Sequence, residues 1–468
     1  MEIPLKISPR TRTQLTEQTI LDLRSRFGTQ FSQAEAYLEQ HSKDESFHSP
    51  SEPDAVIFAE STQDVSDCLR ICSLHDVPVI PFGAGTSLEG HVTPIYGGIS
   101  IDLTRMNKVL RVSTDDLDCT VQAGVFRKQL SKHLEPMGLF FPVDPGADAT
   151  IGGMAATGAS GTTTVRYGSM KTLVLGMTIV LPDGRVMETT HRSRKSSAGY
   201  DLTHLFIGSE GTLGVITELT LRIFGTPEVI SAATVQFPDV KSAILAVIQT
   251  IQVGVGVARI ELMDHEAVAA VNKYSMLGLP ENPLLLLEFH GSPEVVNSEL
   301  LLASEIMMQF GGLNFQRSTD DPSRRKLWMA RHDAALAIKA QRPNGELFIT
   351  DVCVPISDLA ECIVQTQEDV KNTHLYAPII GHVGDGNFHL IAVIDRTNPI
   401  DLKVMNEINR RLISRALSMQ GTCTGEHGIG VGKMDFLREE VGEVAISVMC
   451  LIKNAIDPQN IMNPGKVI

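Results

Sequence analysis

A basic surplus is the first thing this chain lacks. Forty Lys and Arg stand against 55 Asp and Glu, a formal charge of -15 and a pI near 5.4. A protein that grips phosphate backbones needs a basic surface, so nucleic acid is excluded as a partner. No apolar run approaches the ~20 residues that cross a bilayer, so no transmembrane segment is expected. The N-terminus, MEIPLKISPRTRTQL, has no apolar signal-peptide core. These absences predict a cytoplasmic protein, for which peripheral contact with the inner face of a membrane stays open. The cysteines number seven and form no CxxC motif, which suits a reducing compartment. They also hold no Fe–S pattern, so any electron relay lies on another chain. Cys68 and Cys72, four apart in a helical pattern, read as small core residues.

What is present is an ordinary globular composition, 43% hydrophobic and 20% charged over 468 residues. Residues 1–50 read as a helical segment, with TQLTEQTILDLRSRFG ending at Gly28. Residues 51–226 alternate short strands, helices and glycine-rich turns. Ser61 caps a helix with Val65, Leu69 and Cys72 on one stripe. VPVIPF is a strand, VFRKQLSKHLEPMG a helix closing at Gly138, and LGMTIVLPDGRVM a hairpin about Asp183-Gly184. Residues 227–420 repeat a strand–helix–strand pattern three times without repeating a sequence. Residues 421–468 hold TCTGEHGIG, a helix near EEVGEVAISVMCLIKNAI, and the tail NPGK. The fold class is α+β.

Three loops are rich in Gly, Ala, Ser and Thr: PFGAGTSLEGH (81–91), DPGADATIGGMAATGASGTTTVRYG (144–168) and IGSEGTLGVIT (207–217). Small residues let backbone amides approach a phosphate. Neither common nucleotide motif fits. A Walker A loop at Gly432-Lys433 would need glycine where His427 stands and a hydroxyl where Met434 stands. A Rossmann fingerprint must open a helix. VITELTLRI, after GSEGTLG, instead alternates with a period of two and reads as a strand. The loops suit a phosphate-bearing cofactor outside a Rossmann frame, or plain turns in a β-rich fold.

GHVGDGNFHL (381–390) places two histidines seven apart. Gly384, Asp385 and Gly386 between them oppose a helix, and Asp-Gly flanked by apolar stretches signals a two-residue hairpin turn. That register sets His382 directly opposite His389, roughly 5 Å apart at Cβ and on one face, with Asn387 beside them. Such a pair can chelate a metal or pack across strands.

Taken in order and spacing, PFGAGTSLEGH, VDPGADATIGGMAATGASGTTTVRYG, GSEGTLGVIT, GHVGDGNFH, GEHGIGVGK and NPGKVI resemble the flavin-linked D-2-hydroxy acid dehydrogenases. These belong to the vanillyl-alcohol-oxidase / p-cresol-methylhydroxylase superfamily. The resemblance runs from about Asp44 to the C-terminus and is nearest to cytochrome-type D-lactate dehydrogenases, with glycolate dehydrogenase catalytic subunits next. It implies a two-subdomain FAD-binding domain of the p-cresol-methylhydroxylase type (51–226) and an α+β substrate cap with the metal site (227–420). A C-terminal segment (421–468) then returns to the flavin.

The resemblance further implies that FAD's pyrophosphate lies on Gly83, Ala84, Gly85, Thr86 and Ser87. Gly152, Gly153, Gly158 and Gly161 would run along the isoalloxazine and ribityl chain, and Pro145 is a further cofactor residue. Glu210, Gly214 and Ile216 would meet the adenosine half, with Asn463 completing the cofactor residues. FAD is expected to be non-covalent, so His91 carries no flavin bond. His382, His389 and Glu426 form a His2Glu set, suited to a catalytic divalent ion with an open position. Zn2+ or Mn2+ is expected, with Fe2+ compatible.

On this reading the metal orients a 2-hydroxy acid, His427 takes the hydroxyl proton, and hydride passes from C2 to flavin N5. Asn387 hydrogen-bonds the substrate. Arg331 in LWMARHDAAL is the carboxylate clamp, matched bidentately by its guanidinium, or else a solvent-facing helix arginine. His332 reads as solvent-facing or structural. Phe348, Ile349 and Thr350 stand where the 2-hydroxyglutarate branch places a lysine, which points to a small monocarboxylate, D-lactate first and glycolate second. The preference for the D enantiomer rests on the resemblance alone. Electrons would go to a quinone or cytochrome. An oxygen-using oxidase and a non-catalytic flavin subunit of a larger complex are the competing readings. Homo-oligomer formation is compatible with the sequence.

Overall fold

The computed structural model describes residues 6–12, 14–318 and 320–468. The chain divides into two units. The first takes Met1–Ser160, Gly168–Gly225 and Glu426–Ile468, and the second takes Gly161–Tyr167 and Thr226–Gly425.

The first unit opens with helices Glu17–Phe27 and Glu35–Gln40 and continues with short apolar strands. AVIF (Ala55–Phe58), VIPF (Val79–Phe82) and ISID (Ile99–Asp102) are almost wholly buried. Strands buried on both faces read as continuous apolar runs, and these pair in parallel about Ile99–Asp102. Phe31–Ser32 extends the same sheet. Helix Thr62–Leu74 starts where the Ser61 side chain accepts the Asp64 amide, and it buries Val65, Cys68, Leu69 and Cys72. A five-stranded antiparallel sheet follows, in the order Val109–Ser113, Asp118–Gln122, Val215–Arg222, Val174–Val180, Val186–Glu188. It contains the strand expected after GSEGTLG and the hairpin about Asp183-Gly184. The chain's end covers the exposed edge of Val79–Phe82. The Val79 amide donates to Ile461 O and the Asn463 amide to Val79 O, both at 2.8 Å, which occupies an edge otherwise open to foreign pairing. Helix Met434–Ile456 is interrupted at Gly442, where φ is 78°.

The second unit is one antiparallel sheet with helices. Its strand order is Leu313–Ser318, Val229–Gln236, Leu284–Gly291, Val257–Met263, Ile379–His382, Asn387–Ile394, Glu346–Ile349, and Val352–Cys353 also pairs with Asn387–Ile394. The strands before and after helix Val240–Val253 are not neighbours. Leu284–Gly291 inserts between them, antiparallel to both, because a helical crossover returns the chain parallel and leaves room for a third strand. No helix among the described residues is long and apolar enough to cross a membrane.

Candidate functional site

In the second unit the histidine hairpin forms with a different register from the one expected. Gly381 pairs with Phe388 and His382 with Asn387, while His389 lies opposite Ile380. The loop is therefore Val383–Gly386, four residues rather than two, with Gly386 at φ 82°. The histidines are diagonal partners, not direct ones. A slip of two positions keeps every side chain on its face, so the rings still meet, with centroids 5.5 Å apart and planes 83° to one another.

Each ring has its Nδ1 engaged. His382 Nδ1 donates to Glu261 Oε1 at 2.7 Å and His389 Nδ1 to the Thr350 carbonyl at 3.0 Å. These bonds select the tautomer that carries its proton on Nδ1, which makes Nε2 the lone-pair nitrogen of both rings. Two imidazoles so oriented fit a divalent ion. Asn387 Nδ2 donates to Asp351 Oδ1 at 2.7 Å and to Val352 O at 2.8 Å, and Thr424 Oγ1 donates to Asp351 Oδ2 at 2.8 Å. Asn387 Oδ1 is buried and has no hydrogen-bond partner among the described residues. A Cβ on Gly425 would collide with that Asn387 amide, so glycine is what lets the chain pass there.

Arg331 is buried, only 6% exposed, which rules out the solvent-facing alternative. It closes helix Asp321–His332 and donates from Nη2 to Glu261 Oε2 at 2.6 Å. Its Nε is buried without a hydrogen-bond partner among the described residues. His332, the next residue, is exposed. Phe348 and Thr350 are buried.

In the first unit, Gly83, Ala84, Gly85, Thr86 and Ser87 leave the carboxyl end of strand Val79–Phe82, where α/β sheets hold ligands. A side chain at Gly83 would strike Thr150 Oγ1, and Thr150 accepts the Gly153 amide at 3.3 Å at the start of helix Ile151–Thr157. The first two glycine loops are thus in contact, with backbone where side chains would intrude, an arrangement that fits a flavin dinucleotide. Gly152 packs on Ala123, where an added Cβ would sit 2.6 Å from its methyl, and Gly158 ends the helix at φ 68°. Pro145 lies in the preceding loop. Gly214 and Ile216 open strand Val215–Arg222, and Gly161 falls in the second unit.

Glu210 has a definite task in this unit. Its Oε1 accepts the Ile429 amide at 2.7 Å and its Oε2 the Gly430 amide at 2.8 Å. It thereby pins the turn that carries Glu426 and His427. Asn463 Nδ2 donates to His91 O and Glu210 O at 2.9 and 2.7 Å. His91 Nε2 lies 3.3 Å from Glu210 Oε2. Burial opposes protonation of His91, but Glu210, Asp44 and Glu89 outweigh it and its pKa is raised. Ser160 Oγ donates to Glu426 Oε2 at 2.7 Å, and His427 Nε2 stands 3.8 Å from Glu426 Oε1.

The sequence assigned no role to Glu261 and Asp351, which bond the candidates His382 and Asn387 in the second unit, or to Ser160, which bonds Glu426 in the first. Only Glu261 left a signal. In VARIELM, Arg259 and Glu261 alternate with apolar residues inside a strand that is otherwise core, and a buried charge in such a place must have a partner.

Comparison with known proteins agrees with this picture. Residues 226–467 match the family "FAD linked oxidases, C-terminal domain" and residues 53–190 the family "FAD binding domain". The chain is 46% identical over 461 residues to "Probable D-lactate dehydrogenase, mitochondrial" of Danio rerio, covering 98% of this chain and 93% of the relative. It is 42% identical to "D-lactate dehydrogenase [cytochrome], mitochondrial" of Arabidopsis thaliana, covering 89% and 73%. "Glycolate oxidase subunit GlcD" of Bacillus subtilis is 32% identical, covering 89% of each. The mitochondrial names fall outside the plain cytoplasmic expectation. Among solved structures, p-cresol methylhydroxylase with bound substrate superposes with TM-score 0.80 at 16% identity over 98% of each chain, which gives the fold.

Proposed function

Because the chain belongs to the FAD-linked oxidase family, we propose that it oxidises a small D-2-hydroxy acid, D-lactate first, to the 2-keto acid. Electrons pass to an acceptor other than oxygen, a cytochrome or quinone. FAD is held without a covalent bond on the glycine loops of the first unit. His382, His389 and Glu426 hold a divalent ion, Zn2+ or Mn2+. The observation that carries this reading is the histidine pair, with both Nδ1 atoms engaged and Arg331 anchored beside it on the shared carboxylate of Glu261.

When bound, the flavin supplies the acceptor for the C2 hydrogen and its electron pair, and the ion supplies positive charge beside the substrate oxygens. The protein's residues do the rest. Arg331 binds the substrate carboxylate through its guanidinium. Asn387 presents Oδ1 as an acceptor for the substrate hydroxyl. His427 takes up the hydroxyl proton as the C–H bond breaks. Ser160 orients Glu426, and Glu210 fixes the turn behind both. Thr350 and Phe348 offer no cation to a distal carboxylate, which supports a monocarboxylate. Glycolate is the second substrate reading, favoured by the Bacillus subtilis relative.

The test is an anaerobic visible spectrum of the flavin-loaded protein with D-lactate, L-lactate and glycolate, before and after chelation. Bleaching of the oxidised-flavin band by D-lactate, lost on chelation and restored by Zn2+ or Mn2+, is the expected result. Bleaching that survives complete metal removal would sink the metal's role. No bleaching by any hydroxy acid would identify a non-catalytic flavin subunit. Fast reoxidation by O2, compared with a cytochrome or dye, would instead mark an oxidase.

A further inference from the structure

Helix Asp321–His332 lays one stripe, Arg324, Trp328 and Arg331, along a polar face of the second unit's sheet. Arg324 Nη1 lies 3.5 Å from Glu288 Oε2, the Arg259 guanidinium lies 4.7 Å from the Trp328 ring centre, and Arg331 Nη2 lies 2.6 Å from Glu261 Oε2. Glu261 and His382 stand side by side on neighbouring strands, since Leu262 pairs with Gly381. Glu261 is fully buried, and each of its oxygens meets a different partner, His382 Nδ1 on one and Arg331 Nη2 on the other. Arg331 keeps Nε buried and without a partner among the described residues. A buried guanidinium with one donor spent and another unmet points to a ligand oxygen.

We infer that Glu261 is a positioning residue that ties the metal site to the substrate clamp. Its Oε1 holds His382 in the tautomer that binds metal, and its Oε2 holds Arg331 with Nε presented to the substrate carboxylate. This rests on the proposed function, in which His382 is a metal ligand and Arg331 the clamp. Both partners of Glu261 are hydrogen-bond donors, so the position needs two acceptor oxygens. An amide offers one, and glutamine therefore satisfies one partner at the other's expense.

The experiment measures Zn2+ affinity by chelator competition on the flavin-loaded, full-length protein, together with KM and kcat for D-lactate. Arg331→Met leaves the Glu261–His382 bond in place and is expected to keep the wild-type Zn2+ affinity while raising KM. The double variant Glu261→Leu/Arg331→Met removes the buried charges together, a replacement that cores tolerate. It is expected to bind Zn2+ about 10–100-fold more weakly, the usual effect of losing the partner of a ligating histidine. Where the double variant does not retain flavin, Glu261→Gln serves instead, and is expected either to lose about tenfold in Zn2+ affinity or to raise KM, according to which partner keeps the remaining oxygen. Zn2+ affinity in the double variant equal to that of Arg331→Met, or a Glu261→Gln protein with both Zn2+ affinity and KM at wild-type values, would overturn the inference and leave the proposed function standing. A wild-type protein that binds no divalent ion would overturn both.

Discussion

His427 is held through its backbone. The turn on which it sits is pinned two and three residues further on, where Glu210 accepts the amides of Ile429 and Gly430. Gly428 has φ 83°, and a Cβ there would come within 2.6 Å of both Glu210 Oε1 and His91 Nε2. Changing the imidazole should therefore disturb the chemistry more than the turn. His427→Asn is expected to lower the rate of flavin reduction by D-lactate about 10²- to 10⁴-fold, the worth of a general base, with flavin and metal content kept. Anaerobic stopped-flow reduction measures this, and a rate near wild type would remove His427 from proton transfer. The candidate imidazoles and carboxylate stand out in the sequence because they lie in or beside glycine-rich turns, whereas Arg331 lies in helix Asp321–His332 and has no such marker. The anchors could not be read there, because Ser160 lies 266 positions from Glu426 and Glu261 lies 121 from His382.

At the scale of elements, the histidine hairpin separates what a local pattern specifies from what it does not. The apolar stretches on either side of the Asp-Gly pair made two strands and a turn legible, together with the face both rings share. The register was not, because a two-residue and a four-residue loop both keep that face. Val354 O closes on Gly386, leaving no room for a side chain there, and this packing comes from the segment that follows strand Val352–Cys353, which pairs with Asn387–Ile394. The same packing argument makes a prediction at Gly425, where an added methyl meets the Asn387 amide and lies 3.1 Å from Asp351 Oδ1. Gly425→Ala is expected to destabilise the protein by about 1–3 kcal/mol through overpacking. Gly225→Ala, with nothing among the described residues within 4 Å of its added Cβ, should be near neutral. Thermal melts of the two variants decide this, and equal melting points would mean that the Asn387 region yields freely.

Across the whole molecule, the motif order leads one to expect a flavin domain interrupted by a second one, and it does not mark where the chain passes between the two compact units. Gly161–Tyr167 belongs to the second unit although it sits within a glycine loop of the first, and only strand pairing and packing distant in sequence decide that. The last residues return to the first unit and close it. Lys466 is buried there, donating to Thr93 O at 2.8 Å and lying 3.3 Å from Asn463 Oδ1. Burial lowers its pKa from 10.5 to about 7, against the pull of Glu210 and Asp44. Between pH 7 and about 10 the unfolded chain therefore holds a proton that the folded chain has released, and stability gains with rising pH. Below pH 7 both states hold it and this contribution to the slope vanishes. Lys466→Met removes the titration, so the stability of wild type relative to the variant should rise by about 1 kcal/mol per pH unit from pH 7 to 9.5 and stay flat from pH 5.5 to 6.5. Denaturant midpoints of the flavin-loaded proteins across that range measure it. A difference independent of pH would mean that Lys466 stays protonated in the fold. The tail would then be held by a buried ammonium balanced by Glu210 and Asp44, rather than by a neutral amine that donates to carbonyl oxygens.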